Sequence, residues 1–356
     1  MPTLASWLNT LDPVILSITD SLAIRWYGVS YLAGFAMAFL VLRGLAKRSL
    51  IQIPPHRIAD ALMWFIGMTL IGGRLGYVVF YQPSLLWTFF DSFPWWGGIA
   101  INHGGMASHG AMAGLVFAAW RVSRGWRTEQ GTLEGRSSTL HIMDAIALAS
   151  PFGLFFGRCA NFINGELLGR IVTPPGTPGP WWSVQFPHEL LTEKHAPALS
   201  DVQTQQLLSL AETAAPGRPL GIQLEVLVAK AATFADQLRP LLSSRHPSQL
   251  YQAVAEGLVL GGIVWLLWAR PRKPGFIVAI WLMVYGVLRM LTEMVRLPDE
   301  QFAVGRPLGL SRGQWLSVAM TFCGLGLLIW RFRTPGPLLG GWAVRQRTDP
   351  GPPGRV

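Results

Sequence analysis

Arg25, Arg74, His103, His109, Asp144, Arg158, Glu256, Arg289, Glu293 and Arg296 all interrupt or border long apolar runs. An ionisable group inside hydrocarbon is costly, so such residues pair, line a polar cavity or take part in function. Arginine predominates among them. A guanidinium fork matches the oxygens of a phosphate in bidentate fashion, so the residue types suit an anion. His109 adds a group that can move a proton near neutral pH. It lies in His103-Gly-Gly-Met-Ala-Ser-His109-Gly-Ala-Met-Ala-Gly114, whose glycines permit close approach of backbone or substrate. Ser108 and His109 are adjacent, about 100° apart on a helix, and do not form a serine–base pair by themselves. No Gly-x-Ser-x-Gly, P-loop or zinc pattern occurs, so no metal or cofactor is implied.

The elements that must carry these residues read as membrane spans. The 356 residues are 51% hydrophobic and 13% charged, against about 25% charged in soluble domains. Mean hydropathy is +0.35. About seven apolar runs, near 23–42, 58–81, 98–120, 142–165, 247–269, 275–296 and 313–330, approach the length that crosses hydrocarbon. Tryptophans mark many run ends, as in interfacial belts. The expected fold class is an all-α integral membrane protein. Basic residues cluster after spans one, three, five and seven, while 1–22 and 82–97 contain none. That asymmetry places the N-terminus periplasmic and the C-terminus cytoplasmic. Residues 1–22 carry Asp12 and Asp20 and lack the basic stretch of a cleavable signal, so span one is expected to direct insertion.

Four regions follow. Residues 1–165 hold spans one to four, and 166–245 form an extracytoplasmic head. Residues 246–333 hold spans five to seven, and 334–356, rich in Pro, Gly and Arg, are expected to be disordered. In the head, helices are expected over Asp201–Ala214 and Leu224–Leu238, with Pro240 ending the second. The net charge of +10 belongs to topology-setting loops, because no basic block is long enough for nucleic acid. Cys159 and Cys323 imply neither a disulfide framework nor zinc.

With about 1.5 Å rise per residue, His109 lies roughly 15 Å below the outer edge and Arg158 and Arg289 roughly 10 Å. Arg74, Asn161, Asn164, Glu166, Glu293, Arg296, Tyr27 and His246 join them in the outer half. Arg74, Arg158, Arg289 and Arg296 face Glu166 and Glu293, an excess of positive charge that calls for an anionic partner. A phospholipid head group can reach such a site from the outer leaflet. Plainer roles compete for several residues. Arg25 is expected to snorkel and Asp144 to be structural at a helix start. Arg289–Glu293 can be an intrahelical pair, Glu256 has no nameable partner, and Arg74 fits helix packing as well as lipid binding.

Several motifs together resemble one family, the bacterial prolipoprotein diacylglyceryl transferases. Most specific is Gly157-Arg158-Cys159-Ala160-Asn161-Phe162-Ile163-Asn164-Gly165-Glu166-Leu167-Leu168-Gly169-Arg170. It is similar to the family signature Gly-Arg-x-Gly-Asn-Phe-x-Asn-x-Glu-x-x-Gly, with Ala160 in place of a glycine. His246-Pro-Ser-Gln-Leu-Tyr251, Arg25-Trp26-Tyr27-Gly28, Gly72-Gly73-Arg74-Leu75-Gly76-Tyr77, Gly105-Met106-Ala107-Ser108-His109-Gly110 and Tyr285-x3-Arg289-x3-Glu293-x2-Arg296 follow in family order. Residues 170–245 look longer than usual. The resemblance implies a bacterial inner-membrane enzyme with a periplasm-facing site. Such enzymes move the diacylglyceryl group of phosphatidylglycerol onto the lipobox cysteine of a preprolipoprotein and release glycerol phosphate. It further implies His109 as general base and Arg158 and Arg289 as stabilisers of the leaving phosphate. Tyr27, Asn161, Glu166, Gly169, Tyr285, Glu293 and Arg296, with Arg74 and His246, then bind substrate or shape the site. A lipid or anion transporter and a membrane scaffold are the rival classes. The first would transport its ligand in a vesicle flux assay, and the second would leave the buried charges without a purpose.

Overall fold

The computed structural model describes residues 6–18, 23–91, 93–101, 104–192, 198–297 and 310–343. His103 and the tail beyond 343 lie outside the described residues. The molecule is mostly helical. Apolar, largely charge-free runs form α1 (Trp26–Lys47), α2 (Ile58–Phe80), α4 (Thr139–Ile163), α10 (Phe276–Glu293) and α11 (Arg312–Arg333). The fifth predicted span is composite: α8 (Ser248–Gln252), a π-helical stretch over Ala253–Val259, then α9 (Leu260–Leu267). Among the described residues six helices are long and apolar enough to cross a membrane. The run predicted over 98–120 differs. Its helix, α3, covers only Ser108–Ser123, because the glycines at 97, 98, 104 and 105 favour turns over helix.

The chain forms two compact units. The first comprises Met1–Gly34, Pro151–Gly261 and Leu282–Phe322. Short strands β1 (Trp7–Leu8), β6 (Ile171–Thr173), β7 (Val184–Gln185) and β8 (Ser244–Arg245) build a small sheet in the order β1-β7-β8-β6, parallel only between β1 and β7. A hairpin of β2 (Val14–Ser17) and β3 (Ala23–Arg25) precedes α1. This sheet was not expected from a chain read as all-α, and it ties residues 7–8 to the segment after 166. Helix α5 spans Asp201–Ala214, as expected, behind a Ser200/Gln203 capping box. The expected helix over 224–238 breaks into α6 (Leu220–Ala229) and α7 (Ala235–Leu238), separated by a turn at Lys230–Phe234. Leu8, Leu190, Ala211, Leu227, Leu238 and Leu242 close the core beneath them.

The second unit comprises Phe35–Ser150, Gly262–Trp281 and Cys323–Val356. A two-stranded turn, β4 (Trp126–Arg127) with β5 (Leu133–Glu134), joins α3 to α4. Helices α2 and α3 meet through glycines. A Cβ on Gly110 would lie 2.2 Å from the Gly72 carbonyl oxygen, and one on Gly114 1.9 Å from that of Met68. Only small residues let two backbones approach this closely. Asp144 accepts the backbone N–H groups of Gly275 (2.7 Å) and Val278 (2.8 Å), so it caps the start of α10 rather than its own helix. The first residues of the tail, expected to be disordered, are tied down. Leu339 exchanges two backbone hydrogen bonds with Arg272 (2.9 and 2.8 Å), and the Trp342 indole donates to the Trp265 carbonyl (3.1 Å). Backbone pairing and an aromatic anchor hold what composition alone marks as loose.

Candidate active site

In the first unit, three helical elements deliver charged side chains to one cluster. Arg158 comes from α4, Glu256 from the π-helical stretch, and Arg289 from α10. Arg158 donates through Nε (3.1 Å) and Nη2 (2.9 Å) to Glu256 Oε2. Arg289 Nη1 donates to the other oxygen, Oε1, at 3.4 Å. Glu256 is wholly buried, while the two guanidinium side chains keep 16% and 14% exposure. The same carboxylate therefore aligns two forks that remain partly open. A π turn carries an extra residue per turn and is frequent at functional sites, where it re-aims side chains.

One helical turn beyond Arg289, Glu293 accepts from Arg289 Nη2 (3.2 Å) and Arg296 Nη1 (3.3 Å). The intrahelical pair foreseen from the i, i+4 spacing exists, but as one link of a chain Arg158–Glu256–Arg289–Glu293–Arg296. Among the described residues three guanidiniums meet two carboxylates here. A guanidinium excess of that kind suits a bound anion. Tyr285, one turn before Arg289 on α10, lies close to Arg158 and Glu256.

A second polar group adjoins the end of α4. The Tyr27 hydroxyl donates to Glu166 and accepts from the Asn161 amide. The Gln249 amide donates to the Glu166 backbone carbonyl, fixing the turn that carries the carboxylate. That turn requires positive φ at Gly165 (65°) and at Leu167 (56°), the latter unfavourable for a residue with a Cβ. Gly169 pairs with Arg296 in an isolated antiparallel bridge. A Cβ on Gly169 would fall 2.1 Å from the His246 carbonyl oxygen, so only glycine fits. His246 stacks on Trp182, with ring centroids 5.2 Å apart. Burial lowers the pKa of its imidazole, which favours the neutral form. Ala160, the departure from the family glycine, is fully buried within α4.

In the second unit, His109 is the second residue of α3 and meets Phe80 edge-on at 5.1 Å and Tyr81 at 5.7 Å. Arg74 is 4% exposed. Its guanidinium donates to the carbonyls of Gly97 and Gly104, and to those of Gly98 (3.1 Å) and Gly105 (3.1 Å). Four backbone acceptors thus hold Arg74, which takes no part in the arginine–glutamate chain. It locks the loop leading into α3, and with it the start of the helix that bears His109.

The excess charge inferred from sequence is accordingly redistributed. Glu256, for which no partner could be named, is the central acceptor, and Arg74 is satisfied by peptide carbonyls. A carboxylate in an apolar run was the signal for Glu256, the same signal that marked the arginines. Sequence reasoning missed the pair Glu189–Arg245, both 0% exposed. Polar residues in a soluble-looking segment carry no warning of burial. Gln249 stands in the His246–Tyr251 motif at the start of span five, which assigns it no role.

Residues 13–330 match the family model for prolipoprotein diacylglyceryl transferase. The chain belongs to this family. A relative from Bdellovibrio bacteriovorus, named phosphatidylglycerol–prolipoprotein diacylglyceryl transferase, is 36% identical over 94% of this chain and 97% of its own. One of the same name from Ralstonia pickettii is 37% identical over 91% and 95%. Another from Neisseria gonorrhoeae is 35% identical over 89% and 94%. Membership in a transferase family decides against the transporter and scaffold readings.

Proposed function

We propose that this chain transfers the diacylglyceryl group of phosphatidylglycerol to the lipobox cysteine thiol of preprolipoproteins, the first step of lipoprotein maturation. The observation that carries the reading is the arginine cluster. Two partly open guanidinium forks are aligned on one buried carboxylate, with a net positive charge that a phosphodiester would neutralise.

The chemistry asks for two things. A thiol with a free pKa of about 8.5 must lose its proton to become a nucleophile. In this proposal His109 accepts that proton as general base. The thiolate sulfur then bonds to the glyceryl carbon that carries the phosphate. The carbon–oxygen bond breaks, its electron pair stays on the phosphate oxygen, and glycerol phosphate leaves with one more negative charge. Arg158 and Arg289 stabilise that developing charge, where preorganised donors act most strongly. Glu293 and Arg296 extend the cluster, Tyr285 flanks it, and Tyr27, Asn161, Glu166, Gly169 and His246 shape the walls for lipid and peptide. Arg74 positions the His109 loop.

The topology completes the proposal. Seven spans, counting α3 with the loop before it, would leave the N-terminus periplasmic and the C-terminus cytoplasmic in the bacterial inner membrane. The arginine cluster then faces the outer leaflet. Basic loops following α1, α3, α9 and α11 support that orientation. The test is mass spectrometry of a lipobox peptide incubated with purified protein and phosphatidylglycerol. A mass gain of one diacylglyceryl unit on the cysteine is expected. An unmodified peptide under conditions where the protein stays folded would overturn the assignment.

A further inference from the structure

We propose that a second anion site, built for a phosphate group, lies in the second unit between the start of α4, the end of α11 and the returning tail. The site is a cavity of about 470 Å³, within the usual size range of small-ligand sites. Arg136 and Arg331 line it, together with Ser137, Ser138 and Trp330, and the tail residues Pro335–Pro337 form one wall. No Asp or Glu is among its lining residues.

The donors around it are only partly engaged. Lys273 satisfies the end of α11, donating to the carbonyls of Arg331 (3.3 Å) and Thr334 (3.0 Å). Arg331 is thus not needed there. Its Nη1 donates to the Thr334 hydroxyl (2.9 Å), its guanidinium lies over the Trp330 ring at 5.1 Å, and its buried Nε has no hydrogen-bond partner among the described residues. Asp144 is near enough to attract Arg331 electrostatically, but both its oxygens are engaged by the start of α10 and it makes no ion pair with that guanidinium among the described residues. The Ser137 hydroxyl donates to Gln52 (2.8 Å), which leaves the two guanidiniums and the Ser138 hydroxyl as donors with no carboxylate bonded to them among the described residues. A phosphate offers several acceptor oxygens to such forks, and does so better than a single carboxylate. The wall is held in place, because Leu339 and Trp342 anchor the tail just beyond it. A basic cavity beside an interfacial tryptophan suits the head group of an anionic phospholipid, and the same chemistry admits a free phosphate ester.

The experiment uses the purified full-length protein. One arm titrates inorganic phosphate in detergent. The other counts phosphatidylserine retained, by native mass spectrometry, after extraction from phosphatidylcholine nanodiscs doped with it. Phosphatidylglycerol is avoided because the arginine cluster of the first unit would also take it. Binding to wild type is expected in at least one arm, with a loss of about tenfold in affinity or retention in Arg136→Ala/Arg331→Gln. Response in the nanodisc arm alone identifies the source as a lipid head group, and response in the titration alone a soluble phosphate. Arg136→Ala by itself changes only an exposed side chain and should weaken binding in the same arm, which guards against loss through a disturbed tail. Equal binding by wild type and both variants, or none in either arm, would overturn the proposal. Diacylglyceryl transfer should be unchanged in these variants, so the result stands apart from the catalytic reading.

Discussion

The first unit buries arginine in two different ways. At the sheet, Arg245 and Glu189 are both fully enclosed, and the Ser243 N–H and the Gly169 carbonyl add hydrogen bonds to the pair. Within the pair the two charges cancel. Around Glu256, three guanidiniums meet two carboxylates, and Arg158 and Arg289 stay partly open. A closed and balanced pair fixes register between a strand and the turn beneath it. A cluster whose guanidiniums stay partly open can still donate to an anion. Burial of charge is therefore no guide to function until the partners are counted.

The comparison can be broken at its structural end first. Glu189→Ala would take from buried Arg245 the carboxylate it pairs with, an expected loss of about 3–5 kcal/mol. Thermal unfolding in detergent should show it, while transfer per folded molecule persists. Arg158→Ala and Arg289→Ala should do the reverse. Transfer to a lipobox peptide is expected to fall about 10²–10³-fold, the scale of removing one preorganised donor, with insertion and melting temperature nearly kept. Full activity in either variant would erase the contrast. Glu256→Gln sharpens it further. The amide keeps the shape but presents one acceptor where two forks need two, so misaligned guanidiniums should lower kcat about 10- to 100-fold, more than they raise KM. The smallest effect expected is a pH dependence. Burial depresses the pKa of His246 in the folded protein, so its contribution is complete above the unfolded value of about 6.5 and is lost as pH falls below it. Unfolding at about pH 7.5 and 5.5 should differ less in His246→Asn than in wild type.

Much of this was readable beforehand, and the reasons are specific. Arg158, Arg289 and Glu293 declared themselves because a charge in an apolar run demands an explanation. Six of the expected membrane runs became single long helices or the composite α8–α9 with little change, since length and apolarity decide a span. The run at 98–120 did not. Its glycines lower hydropathy little but remove the preference for helix, so α3 begins only at Ser108. The partners of Glu256 lie 98 residues before it and 33 after it, and no local pattern links such distances. Arg74 was ambiguous for a different reason. Its acceptors are peptide carbonyls, and every residue has one, so side-chain identities gave no hint of them. The split between α6 and α7 turned on a short stretch at 230–234 that has ordinary helix formers in it.

What the amino-acid order determined unaided was the solvent the chain lives in, the family to which its motifs belong and the residue types that can face a phosphate. These depend on composition and short-range spacing, which survive without a fold. Only the tertiary structure decided which charge answers which. The π-helical stretch aims Glu256 at two arginines, the glycine-lined contact of α2 and α3 places His109, and the ordered tail turns a basic end into a cavity. Coulomb interactions and hydrogen bonds depend on distances of a few ångströms between groups far apart in the chain, and packing alone sets those distances.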